Sequence, residues 1–373
     1  NRPLSPEPQA GTSSPFPLQR KKGRRKAHEV QLTVPSRVFL KLETLQPSGS
    51  FKSRGIGHYL QRALIRSTSR DTVHFYSSSG GNAGLACVYA ARALGRPATV
   101  VVPLSTSAFM IAKLRAAGAA EVLQFGESWS EADAYLRGVV MREEARVGEK
   151  VEEAVYVPPF DHSDIWEGNA SLMEEVGLQL RREGGGDEPP DAVICSVGGG
   201  GLFNGVMQGL DRLGWSDTPV LAVETQGAES LGASLRHGKH VTLPGITSLA
   251  KSLGATRVCD RAYENGQWAS VTSVVLSDAE AAMGCWRLAD VERMLVEMAC
   301  GVNVALCYDG RLEKVLGRRL TKESRVVVVL CGGSNVTVDM VVEWRTRFGG
   351  VERAMPKMRD VPSAETAPNG VAT

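Results

Sequence analysis

Pro47-Ser48-Gly49-Ser50-Phe51-Lys52-Ser53-Arg54-Gly55 stands between a strand-like run, Val38-Phe39-Leu40-Lys41-Leu42-Glu43, and a helix expected from Ser53 to about Arg66. The Pro-Ser-Gly element supplies the turn between them. A lone lysine is usually a solvated surface charge. Lys52 instead falls at a strand-to-helix junction, where an amine can be partly desolvated and its pKa lowered. An amine of that kind can form a Schiff base with an aldehyde cofactor.

Outward from this junction, strands and helices alternate. Strands are expected at Thr72 to Ser77, Ala98 to Val102, Glu121 to Phe125, Ala192 to Val197, Pro219 to Glu224 and Val326 to Leu330. Helices are expected at Asn82 to Leu94, Ser107 to Ala117, Glu167 to Arg181 and Leu202 to Leu213. Gly95 ends one helix, and Pro103 closes one strand. The wholly apolar run Val326 to Leu330 is of the kind buried on both faces. The pattern predicts α/β layers with largely parallel sheets. No internal repeat is visible.

Three loops between strand and helix carry unusual residues. Ser196-Val197-Gly198-Gly199-Gly200-Gly201-Leu202 lets the backbone approach a ligand closely, and its N–H groups at a helix start suit a phosphate. The alternative is a merely flexible turn. A G-x-G-x-x-G fingerprint started at Gly198 or Gly199 meets Phe203 or Asn204 where its last glycine belongs, so a dinucleotide is not expected. No G-x-x-x-x-G-K-[ST] is present either. Ser77-Ser78-Ser79-Gly80-Gly81-Asn82-Ala83-Gly84 could receive a carboxylate, although Ser and Asn also simply cap helices. Cys331-Gly332-Gly333-Ser334-Asn335 follows the late apolar strand. Cys331 could offer a soft, uncharged partner to a ring nitrogen, or it could only pack.

The chain has 373 residues, enough for two domains or one large α/β unit. Its 43 basic and 41 acidic residues nearly cancel, so the body gives no reason to expect nucleic acid or membrane partners. No apolar run is long enough to span a bilayer, and no secretory h-region stands near the start. The seven cysteines are odd in number and irregularly spaced, which suits a reduced cytoplasmic protein. The six histidines form no metal pattern; His237 and His240 are close in sequence but lie in a polar loop. Residues 1–30 are rich in Pro and Ser and then basic, and read as a disordered tail rather than as a nuclear or organellar address. Residues 355–373 read as a second tail. The chain does not begin with Met, so part of the natural N-terminus is read as missing.

Taken in order, S-F-K, S-x-G-N-A-G, G-G-G-G-L and C-G-G-S-N resemble the pyridoxal-phosphate enzymes of fold type II. Within these the chain is most similar to the eukaryotic L-serine dehydratases, which also act on L-threonine. Ile165 to Ser171, Ala222 to Ala228, Gly245 to Gly254 and Leu295 to Gly301 agree with that resemblance, which covers roughly residues 38–345. It implies two α/β domains with mostly parallel, twisted sheets and the cofactor between them. The smaller would span 41–160, and the larger 31–40 with 161–350. It also implies a homodimer, serving amino-acid catabolism and gluconeogenesis.

Residue by residue, the resemblance makes Lys52 the Schiff-base lysine and packs Phe51 against the cofactor ring. Gly198, Gly199, Gly200, Gly201 and Leu202 would hold the phosphate, Asn82 the ring hydroxyl and Cys331 the pyridine nitrogen. Ser79, Gly80, Gly81, Asn82 and Ala83 would bind the substrate carboxylate. A monovalent cation, usually potassium, would sit among Gly198, Glu224, Ala228, Leu253 and Ala255; read without the resemblance, Glu224 is a surface charge after a strand. Cysteine cannot act as the anionic partner of a protonated pyridine, so the ring would be a weaker electron sink. That suits β-elimination better than transamination, which needs a longer-lived carbanion.

There are departures. The family's Thr-Pro-Leu opening is lacking in Lys21 to Pro35. Gly80 and Ser252 stand where some close relatives have alanine. The expected reaction is conversion of L-serine to pyruvate and ammonia, and of L-threonine to 2-oxobutanoate. The rivals are a threonine-preferring or hydroxyaspartate dehydratase, a β-replacement enzyme, and a non-catalytic relative.

Overall fold

The computed structural model describes residues 37–144 and 153–351. The two expected tails and the basic stretch before Pro35 lie outside these residues. Two parallel sheets carry the fold. The first strand, β1 (Arg37–Leu42), ends in a short 3-10 turn and the Pro-Ser-Gly bend, and α1 (Lys52–Arg66) follows. The chain then builds a four-stranded sheet from β2 (Val73–Ser77), β3 (Ala98–Val102), β4 (Glu121–Gln124) and β5 (Glu153–Tyr156), in the order β4-β3-β2-β5. Its connecting helices are α2 (Asn82–Ala93), α3 (Ala108–Ala117), α4 (Trp129–Tyr135) and α5 (Met141–Glu144).

After α6 (Ser163–Leu180) come β6 (Ala192–Ser196), α7 (Gly201–Arg212), β7 (Val220–Thr225), α8 (Ser230–His237), α9 (Asp260–Gly266) and β8 (Val271–Leu276). The last elements are α10 (Asp278–Arg287), α11 (Met298–Ala305), α12 (Arg311–Leu316), β9 (Arg325–Leu330) and α13 (Val338–Phe348). The second sheet runs β1-β9-β6-β7-β8, and every described pairing in both sheets is parallel. Strands β6, β7 and β9 are buried along their whole length, in keeping with their mostly apolar sequences. The fold is α/β, as the alternation predicts. Helix α6 begins at Ser163 rather than near Glu167, because the His162 ring accepts the Asp164 N–H and caps an earlier turn.

Register decides which loops meet. Leu42 pairs with Leu330, Ile194 with Val328, and Ser196 with Val223. The Lys52 turn, the tetraglycine loop and the Cys331 loop therefore leave the sheet on the same side, at the carboxyl ends of parallel strands, where open α/β sheets bind ligands. In the smaller sheet Tyr76 pairs with Tyr156, which brings the Ser78–Gly81 loop beside Val157 to Phe160.

A charged cluster fixes α1 in place. The Arg54 guanidinium donates to both oxygens of Glu43, at 2.6 and 2.8 Å, and to Glu175 on α6. Glu43 is fully buried. Arg54→Ala would leave that carboxylate without its partner, and the expected cost is about 3–5 kcal/mol. Urea unfolding of the cofactor-free protein measures it; a loss below about 1 kcal/mol would mean that the cluster does not hold the helix.

Candidate active site

Lys52 is the first residue of α1, and the turn before it is stitched to the Cys331 loop. The Phe51 N–H donates to the Cys331 carbonyl at 3.2 Å, and the Gly333 N–H to the Gly49 carbonyl at 3.0 Å. Ser50 and Gly332 form an antiparallel bridge. The half-buried Lys52 projects its amine to the Pro159 carbonyl at 2.5 Å. Burial lowers that amine from 10.5 to about 8, against a partial upward pull from the Cys331 thiol. An amine at about 8 is largely protonated at neutral pH but has a reactive neutral fraction far above that of an ordinary lysine.

The tetraglycine loop lies against the segment that holds this amine. A side chain on Gly199 would stand 2.4 Å from the Phe160 ring, and one on Gly200 would stand 2.4 Å from the Ala262 methyl. Gly200 has φ +97°, a conformation that only glycine adopts freely. The Lys52 amine lies 5.3 Å from the centre of the Phe51 ring and 6.0 Å from that of Phe160. Leu202 is buried in the first turn of α7.

From the other sheet, Ser79, Gly80 and Gly81 form the loop before α2, and Asn82 and Ala83 begin that helix. The Gly81 N–H donates to the Ser79 hydroxyl at 3.3 Å. Ser78 donates to Asp133 on α4 at 2.7 Å, which ties the loop to the body of the sheet. The Asn82 carboxamide donates to Glu297 at 2.9 Å and approaches the Ser252 hydroxyl at 3.4 Å, while its oxygen accepts the Ser334 N–H at 2.8 Å. Asn82 thus reaches across to the loops of the larger sheet. Cys331 is buried, with its sulfur 3.5 Å from the Ser196 hydroxyl. Burial raises the neighbouring Cys195 thiol to about 12, and burial with Cys331 beside it raises that of Cys300, so these two thiols stay neutral.

Glu224 is fully buried, not a surface charge after a strand. Its two oxygens accept the Leu231 and Gly232 N–H groups at 2.8 and 2.7 Å. Burial nevertheless raises its carboxyl to about 8. The backbones of Gly198 and Leu253 are in contact, since a side chain on Gly198 would stand 3.1 Å from the Leu253 Cα. Ala228 follows β7 and Ala255 follows Leu253, both in turns.

Four participants are not singled out by the sequence reading: the Pro159 carbonyl, the Phe160 ring, Asp133 and Glu297. A carbonyl has no sequence signature. Phe160 lies in a Pro-Pro-Phe-Asp run that resembles an ordinary loop. Glu297 had one available signal, an acid between Val296 and Met298 in an otherwise apolar stretch.

The site fits a flat aromatic aldehyde bearing a phosphate. It offers a desolvated amine, a glycine loop whose side-chain positions are already filled by neighbours, and an amide from the facing sheet. The comparisons agree. The family model described as "Pyridoxal-phosphate dependent enzyme" matches residues 18–332. The "Serine dehydratase-like" protein of Homo sapiens is 44% identical over 316 residues, which cover 84% of this chain and 90% of that protein. The "Catabolic L-serine/threonine dehydratase" of Saccharomyces cerevisiae is 38% identical over 340 residues, covering 90% of this chain and 91% of the other. Among solved structures, a fungal L-serine ammonia-lyase from Rhizomucor miehei superposes with a TM-score of 0.75 at 35% identity, over 84% of this chain and 94% of that one. On these matches and this geometry, the chain belongs to the family of pyridoxal-phosphate dependent enzymes.

Proposed function

We propose that the chain is an L-serine dehydratase, an ammonia-lyase that converts L-serine to pyruvate and ammonia and also acts on L-threonine. The observation that carries this reading is the Lys52 amine, lowered to about 8 and held at the Pro159 carbonyl, next to the Phe160 ring against which the tetraglycine loop packs. The names of the relatives supply the substrate class.

When bound, pyridoxal phosphate supplies an electron-withdrawing ring conjugated to the substrate nitrogen. The residues do the rest. N–H groups from Gly198 to Leu202 would hold the phosphate at the start of α7, where the helix dipole favours an anion. Asn82 would donate to the ring hydroxyl, Cys331 would serve the ring nitrogen without adding charge, and Phe51 would pack on the ring. Ser79, Gly80, Gly81, Asn82 and Ala83 receive the substrate carboxylate. Neutral Nζ of Lys52 takes the α-proton, with the Pro159 carbonyl orienting it. The β-hydroxyl leaves as water, taking up a proton that balances the one Lys52 removed, and the released 2-aminoacrylate hydrolyses to pyruvate and ammonia.

A monovalent cation beside Glu224 belongs to the same reading. Two N–H donors favour an ionised carboxylate there, while burial opposes it, and a cation offsets the burial. The proposal extends to a cytoplasmic homodimer. Its support is the family resemblance, together with a near-neutral charge balance and the finding that no described helix is long and apolar enough to cross a membrane.

Product analysis tests the function. With L-serine the protein is expected to form pyruvate and ammonia in equal amounts, and with L-threonine 2-oxobutanoate. Replacing potassium by a bulky organic cation should slow both. Thioether formation with added thiol and no keto acid would point to β-replacement, and cofactor uptake without any product to a non-catalytic relative.

A further inference from the structure

Glu297 is 5% exposed and sits at the start of α11, behind the two side chains that meet across the cleft. Its carboxylate accepts from the Asn82 carboxamide at 2.9 Å, from the Asn335 N–H at 2.8 Å, and from the Ser252 hydroxyl. Among the described residues no lysine or arginine lies at ion-pair distance from it; Lys113 on α3 feels its charge but donates to the Ser334 carbonyl at 2.5 Å. The loop above leaves room for it only because residue 333 is glycine. A side chain there would stand 2.4 Å from the Glu297 carboxyl carbon, and the backbone has φ +118°.

This arrangement settles which way the Asn82 amide faces. Its oxygen takes the Ser334 N–H and its nitrogen the carboxylate. Turning the amide over would set oxygen against oxygen and N–H against N–H, two unsatisfied pairs in a poorly hydrated place. Of the two N–H bonds on the Asn82 nitrogen, one is committed to Glu297. The other reaches the Ser252 hydroxyl only at 3.4 Å, a long contact that an acceptor in the cleft would replace.

We propose that Glu297 is a positioning residue: it holds the Asn82 amide so that an N–H, not the oxygen, meets the cofactor's ring hydroxyl, and it places one fixed negative charge behind that contact. This deepens the reading of the site as a pyridoxal-phosphate centre and rests on it. A cofactor joined to Lys52 would share a proton between its ring oxygen and that nitrogen. A fixed negative charge one amide away holds that proton more firmly. The other titratable groups that feel this carboxylate are Lys113 from α3 and Cys285 from α10.

The test compares E297Q and E297A with the parent chain, using equilibrium binding of pyridoxal phosphate to the cofactor-free protein and the pH titration of the bound cofactor's absorbance. Glutamine keeps the shape: its oxygen accepts from Asn82 and Asn335, and its amide donates to the Ser252 hydroxyl. E297Q is expected to bind the cofactor within about threefold of the parent, yet to lose the proton about one pH unit lower. E297A is expected to lose about tenfold or more in affinity, because the Asn82 amide can then turn. An E297Q titration that overlays the parent, or an E297A affinity equal to the parent's, overturns the proposal. A parent chain that takes up no pyridoxal phosphate overturns the underlying reading as well, and is told apart by its lack of any absorbance to titrate.

Discussion

Lys52→Ala is expected to leave a folded protein that no longer develops the long-wavelength absorbance of lysine-linked pyridoxal phosphate and that loses turnover by about 10⁴-fold or more. The reasoning is local. Among the described residues Lys52 holds the one lysine amine that donates to the Pro159 carbonyl beside the tetraglycine loop, and no other side chain seen there combines a primary amine with that position. Stability should not fall in step, since a desolvated amine is itself costly to bury. Elimination at more than about a hundredth of the parent rate would end the proposal that Lys52 carries the proton.

The same amine gives a pH signature. Only its neutral form attacks an aldehyde. Below its pKa the neutral fraction grows about tenfold per pH unit, and above it the fraction saturates. With the Lys52 value at about 8, cofactor capture by the cofactor-free protein should accelerate up to about pH 8 and then level off. An unshifted lysine would keep accelerating to about pH 10. Stopped mixing of protein and pyridoxal phosphate across that range reads the midpoint directly. A midpoint near the ordinary lysine value would show that the cleft hydrates the amine fully.

The second large effect is expected at Gly200. Valine there must adopt φ +97° and places its Cβ 2.4 Å from the Ala262 methyl and 3.0 Å from Val258. Left-handed backbone costs a branched residue about 1–2 kcal/mol or more, and overpacking adds about 1–3 kcal/mol. Relief by movement of the loop would withdraw the N–H groups proposed to hold the phosphate. Cofactor affinity should fall by about 100-fold or more, measured by equilibrium dialysis. Gly57→Ala supplies the control. Its added methyl meets nothing within 4 Å on α1, and alanine is the better helix former, so affinity should be unchanged and stability slightly higher. Equal losses from both variants would contradict the role given to the tetraglycine loop.

The loops that the structure gathers in the cleft were legible because each is written in contiguous residues. Lys52, the four glycines, Ser79 to Ala83 and Cys331 each belong to a short strand-loop-helix unit, and local propensity places that loop at a strand end. Glu224 was legible in kind but not in setting. An acid after a strand reads as solvated until the fold buries it against the start of α8. Pro159, Phe160, Asp133 and Glu297 act through contacts with residues far away in sequence, such as the Glu297 bond to Asn82, 215 positions distant.

The chain's order of residues by itself determined the alternating α/β layers, the parallel sheets and the place of Lys52 at a strand-to-helix junction, because periodicity and turn chemistry are local properties. Only the tertiary structure decided that the amine is desolvated, that the Asn82 amide faces one way, and that three loops from two sheets share one cleft. Those are consequences of strand register and of packing between distant segments. A buried dipole or charge takes its energy from whatever surrounds it in space, and the surroundings exist only once the chain has folded.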